Sequence, residues 1–89
     1  MKAIISVIGK DNVGIMYNVS KVLKDCSVSI EDVTQTILKE YFTMLMVVRL
    51  DEENTSFSEL QKELQAMAER EGLTLTVQKE EIFDAMHKI

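Results

Sequence analysis

Apolar residues recur along the chain with two different periods, and the switches between them mark the elements. Ala3 to Ile8 is apolar at every position except Ser6, the pattern of a strand in the interior of a sheet. Ile15, Val19, Val22, Leu23 and Cys26 follow at offsets of four, seven, eight and eleven, which is one face of a helix. A second strand is expected over Val28 to Leu38, but its apolar positions change parity. Val28 and Ile30 fall on one face, Val33 and Ile37 on the other. One extra residue flips the facing of all that follow, so a β-bulge near Glu31-Asp32 restores a single apolar face. This strand is rich in Ser, Thr, Gln and acids, the composition of an edge. Lys39-Glu40 reads as a short turn, although neither is a favoured hairpin residue. Tyr41 to Leu50 is apolar on both faces and reads as a central strand.

The second half begins with a polar loop, Asp51-Glu52-Glu53-Asn54. Ser56 with Glu59 three residues later has the form of a capping box. Phe57, Leu60, Leu64 and Met67 then mark a second amphipathic helix, and Gly72 sits where a left-handed C-cap belongs. Leu73, Leu75 and Val77 alternate with Thr74, Thr76 and Gln78, a half-buried strand. The tail, Glu80 to Ile89, carries Ile82, Phe83, Met86 and Ile89 at helical spacing. It is expected to form a short C-terminal helix docked on the body or on a partner. The order β-α-β-β-α-β, with right-handed crossovers, places both helices on one face of a four-stranded antiparallel sheet. The expected fold is therefore a ferredoxin-like α/β (α+β) sandwich forming one domain over residues 1–89. Its second strand lies at one edge, its first and third in the centre and its last at the other edge.

Size and charge exclude several roles. A chain of 89 residues buries only about 60–65% of its unfolded surface, so its core is thin and a second copy would help it. No apolar run approaches a membrane span and the start reads as a strand rather than a signal peptide. A single cysteine, Cys26, cannot form an intramolecular disulfide and fits a reducing cytoplasm. The net charge of −5 argues against nucleic-acid binding. RNA modules of this fold stack bases on aromatics of the central strands. Here Tyr41 and Phe42 sit at the start of one strand, on opposite faces, and the first strand has none.

Catalysis and metal chemistry find little to stand on. Metal chaperones of this fold need paired thiols, and Cys26 is alone on the apolar stripe of a helix. Asp51-Glu52-Glu53 lacks the alternating oxygen spacing of a calcium loop. His87, the single histidine, falls in the tail with no orienting acid legible beside it. No nucleophile–base constellation is visible, so no catalytic residue, cofactor or metal is expected. Met44, Met46 and Met67 read as gap-fillers of a core.

Two of the three glycines bracket one loop, Gly9-Lys10-Asp11-Asn12-Val13-Gly14, between the first strand and the first helix. Unpaired N–H groups and partial positive charge gather at a helix start, and glycine lets a ligand approach them. A zwitterionic or anionic small molecule would suit such a loop. The plainer alternative is a capped connection, since Asp11 and Asn12 are good N-cap residues. From local chemistry alone the plain cap is the better reading.

The loop Gly9 to Ile15 resembles the ligand-loop motif of ACT domains. With Ile30-Glu31-Asp32-Val33-Thr34-Gln35-Thr36, Glu40-Tyr41-Phe42-Thr43-Met44 and Ile82-Phe83-Asp84-Ala85-Met86, the chain is similar from end to end to the small stand-alone ACT proteins. It also resembles the ACT halves of the glycine-cleavage transcriptional repressor. The resemblance implies a regulatory module that binds a small molecule, an amino acid, as a homodimer paired through the edge strand Val28–Leu38. It implies ligand contacts from Asp11, Asn12, Val13, Gly14 and Ile15 of one subunit and from Ile30, Asp32 and Gln35 across the interface. Val13 stands where the family often has proline, whose fixed φ pre-sets a helix start. The alternative is a constitutive protein–protein interaction module, with an unknown protein partner and no working ligand site.

Overall fold

A computed structural model describes residues 1–10, 14–51, 53 and 55–81. In chain order the elements are β1 (Lys2–Gly9), α1 (Ile15–Asp25), β2 (Val28–Leu38), β3 (Tyr41–Leu50), α2 (Phe57–Glu71) and β4 (Thr74–Lys79). The sheet is antiparallel throughout, in the order β2-β3-β1-β4. The apolar strands are thus central and the polar β2 is an edge, as the pattern requires.

Register decides which side chains become core. Ala3, Ile5 and Val7 lie opposite Val48, Met46 and Met44. Together with Leu75 and Val77 of β4 they pack under Ile15, Val19 and Leu23 of α1 and Leu60, Leu64 and Met67 of α2. Met44 and Met46 are fully buried there and Met67 nearly so. Cys26 is half-buried against this core at the end of α1.

The bulge falls where the parity change demands it. Ile30 pairs with Val48, Asp32 with Val47, and the register shifts between them. Glu31 is the extra residue. After it Val33 faces Met46 and Ile37 faces Phe42, so Val28, Ile30, Val33 and Ile37 all share the helix-bearing face. The Glu31 carboxylate meets Lys2 Nζ at 3.0 Å and the Arg49 guanidinium at 3.0 Å. The hydrogen bond from Lys2, with the positive charge of Arg49 and Lys2, holds this carboxyl below its ordinary range. A depressed folded value stabilises above the unfolded glutamate range of about 4.3 and stops doing so as pH falls through the folded value. Glu31→Gln should therefore lower the urea midpoint at pH 7, and the gap from wild type should narrow as pH falls below the ordinary glutamate range.

Two connections use the left-handed region without glycine. Ser27 has φ 58° and Lys39 has φ 57°. At Lys39, in the two-residue turn between β2 and β3, a Cβ is sterically costly. Lys39→Gly should stabilise by about 0.5–1 kcal/mol, read as a rise of a few degrees in Tm.

Helix α2 starts as the capping pattern indicates, with Ser56 Oγ accepting from the Glu59 N–H at 3.1 Å. It ends at Gly72, φ 71°. The buried Thr55 hydroxyl donates to the Cys26 carbonyl, tying the loop before α2 to the end of α1. Residues 80 and 81 have helical backbone. The rest of the expected C-terminal helix, 82–89, lies outside the described residues.

Candidate functional site

Strand β1 delivers the chain to the first loop at Gly9. A Cβ built there would lie 2.6 Å from Leu73 Cδ2 and 3.0 Å from Ile15 Cδ1. Gly9 thus lets the strand leave between the start of α1 and the start of β4. Its counterpart differs. Gly14 has φ 83°, and among the described residues a Cβ there would meet Asn18 Nδ2 alone, at 3.9 Å. The left-handed backbone conformation is what asks for glycine there.

Gly14 is also the N-cap of α1, which corrects the expectation that Asp11 or Asn12 takes that position. Its carbonyl accepts the first helical bond, from the Asn18 N–H at 2.8 Å. Among the described residues no side chain caps the helix, and no acid stands in its first turn. The positive end of the α1 dipole and its first N–H groups therefore have no side-chain anion of the helix's own first turn against them. Asn18 donates from Nδ2 to Glu71 at 3.1 Å, which fixes the first turn of α1 to the last turn of α2. Neither residue carried a sequence signal, since the contact spans 53 positions.

Lys10 stands between two surface hollows. One, of about 360 Å³, has Ile8, Tyr41, Glu71 and Leu73 among its walls. The other, of about 210 Å³, has Ile37, Lys39 and Tyr41. A further hollow of about 380 Å³ lies away from this loop, between the end of α1 and the start of α2, beside Cys26 and Thr55. Burial, followed by the nearby carboxylates of Glu63, Asp25 and Glu59, pushes the Cys26 thiol up. It stays protonated at neutral pH and is a poor nucleophile.

The candidate residues divide. Gly14 and Ile15 meet at the helix start, with Ile15 buried beneath it. Asp11, Asn12 and Val13 lie outside the described residues. On β2, Ile30 and Gln35 lie opposite Val48 and Met44 and so share the helix-bearing face. Asp32 lies opposite Val47, on the other face, and its carboxylate accepts from the Val33 N–H at 2.9 Å. Ile30 and Ile37 remain 42% and 65% exposed on the outer strand. They are apolar residues on a core-facing side that no described neighbour covers fully. Among the described residues, no group of three or more His, Cys, Asp or Glu side chains is placed to hold a metal ion. No described helix is long and apolar enough to cross a membrane.

Comparison with known proteins decides the family. The ACT domain family matches residues 2–78, which span β1 to the penultimate residue of β4. The chain belongs to the ACT domain family. It is 45% identical over 89 residues to the UPF0237 protein SMU_72 of Streptococcus mutans, covering all of both chains. An ACT domain protein from Streptococcus pneumoniae superposes with a TM-score of 0.81 at 39% identity, over 94% of each chain. A chain named for the glycine cleavage system transcriptional repressor superposes with a TM-score of 0.78 at 19% identity, over 88% of this chain and 44% of that one. That last likeness is one of fold. ACT domains are typically regulatory modules that bind small molecules, and the βαββαβ architecture of this chain is theirs.

Proposed function

We propose that this ACT domain is a regulatory amino-acid-binding module that works as a homodimer paired through β2. The observation that carries the reading is the start of α1 at Gly14, where no side chain among the described residues caps the helix N-terminus and no acid stands in the first turn. A ligand carboxylate fits there against backbone N–H groups from Val13 to Ile15. Asp11 accepts from the ligand ammonium group, and Asn12 bonds either end through its amide. Ile30 and Gln35 of the second copy close the site, since they face the layer that holds α1. Asp32 faces away and is assigned no ligand contact. The outer edge of β2 supports the pairing. An eleven-residue edge strand is an association surface unless paired or blunted, and isologous pairing is the commonest way to use one. Ligand binding at such an interface would strengthen the dimer by mass action, and that is the regulatory output.

Thermal shift against the amino acids tests this directly. One amino acid at a hundred times its Kd should stabilise by about 2.7 kcal/mol, a rise of roughly 10–20 °C for a domain of this size. Gly14→Asn should keep the fold, because asparagine tolerates the left-handed region, and should place a side chain over the helix start. Affinity by titration calorimetry should then fall at least tenfold. Unchanged affinity would remove the site from this loop. Silence across the amino acids, with a partner protein recovered instead, would favour the constitutive interaction module.

A further inference from the structure

The sheet has a second face that no described helix covers. Ile4, Ile8, Leu45 and Val47 point there, because the register sets them between the core positions. Leu45 is 38% exposed and Ile8 is 41% exposed. Ile4 is not: it is 6% exposed, as buried as a core residue, yet it stands outside the core cluster. Its cross-strand neighbours are Val47 and Gln78. Something on the helix-free side shields the Ile4 end of the sheet.

The chain itself arrives at that end. Lys79, the last residue of β4, pairs with Ala3 and turns its ammonium to the helix side, 5.7 Å from the centre of the Phe57 ring. Glu80 and Glu81 then leave β4 with helical backbone and line a hollow with Met1 and Lys2. Lys2 belongs to the helix-free face, opposite Arg49. Glu81, the last described residue, thus stands beside Met1 and Lys2, and Lys2 is two positions from Ile4 along β1. Ile82, Phe83, Met86 and Ile89 recur at one helical face. Eight helical residues reach about 12 Å, close to the roughly 13 Å from Ile4 to Ile8 along a strand. The segment also lies beyond the family match, which ends at residue 78.

The geometry points to residues 82–89 as the cover of the helix-free face of the same chain, with Phe83 and Met86 seated over Ile4, Val47 and Leu45. The domain then carries apolar layers on both sides of its central strands, and the β2 edge is left as the surface offered to a second copy. Isotope-edited NOE spectroscopy on the unmodified full-length protein tests it. Contacts are expected from the Phe83 ring to methyl groups of Ile4, Leu45 and Val47. In an equal mixture of differently labelled chains they should appear within chains and not between them. Leu45→Asp should remove them and raise amide exchange in residues 82–89 at least tenfold. Contacts only between chains would overturn the assignment in favour of a second copy. No contacts, or contacts to α1 and α2 instead, would overturn it outright.

Discussion

Gly9→Val is expected to lower stability by about 2–3 kcal/mol, a fall of roughly 10–20 °C in Tm. The cause is packing and not conformation, because Gly9 is not among the glycines with positive φ. The first Cβ already lies 2.6 Å from Leu73 Cδ2 and 3.0 Å from Ile15 Cδ1. Leu73 can swing its side-chain end, but Ile15 is 3% exposed under the first turn of α1. The valine branches therefore push the helix start away from β1. Truncating the partner should help, so Gly9→Val with Leu73→Ala should lose about 1–2 kcal/mol less than the sum of the two single changes. Urea titration of the four proteins measures this. An unchanged midpoint for Gly9→Val would show that the loop relaxes freely and that Gly9 has no packing role. Any ligand site at Gly14 would feel the same displacement.

Local signals carried the fold because most of its determinants are local. The parity change at Glu31-Asp32, the Ser56 cap with Glu59 and the glycine after α2 each act within a few residues. The structure keeps all three. The polar composition of β2 and the two-sided apolar runs of β1 and β3 likewise placed edge and centre correctly. The element order put both helices on one face, but the apolar runs did not disclose what meets the other. Sidedness is a property of the assembled layers, and a strand apolar on both faces looks the same whether its second face meets helices, a tail or another chain.

The site was less legible, for the same reason read in reverse. Asp11 and Asn12 have the best cap chemistry in the loop, but the helix begins after Gly14, whose left-handed backbone sets the start. The reason for Gly9 lies in Leu73, and that of Asn18 in Glu71, each far along the chain. Glu31 seemed only a bulge residue until register brought Lys2 and Arg49 to its carboxylate. Asp32 and Gln35 were grouped by motif, but the bulge sends them to opposite faces of β2. A motif names residues, whereas facing comes from register.

Met46→Ala should cost about 2–5 kcal/mol, against an expected total of roughly 4–13 kcal/mol for a domain of this length. Met46 is fully buried at the centre of β3. It lies opposite Ile5 on one side and Val33 on the other. Truncation leaves a cavity beneath both helices, and rigid strand neighbours can fill it only in part. Met46→Leu keeps the volume and should cost less than about 1.5 kcal/mol. That contrast separates a packing role from any special use of the thioether. Because Val33 packs against the core cluster that Val28 of the same strand enters, the cavity should also loosen the edge strand. In the proposed dimer, self-association measured by sedimentation should then weaken as the thermal midpoint falls. A variant that lost stability while keeping its dimer affinity would show that β2 pairs independently of the core behind it.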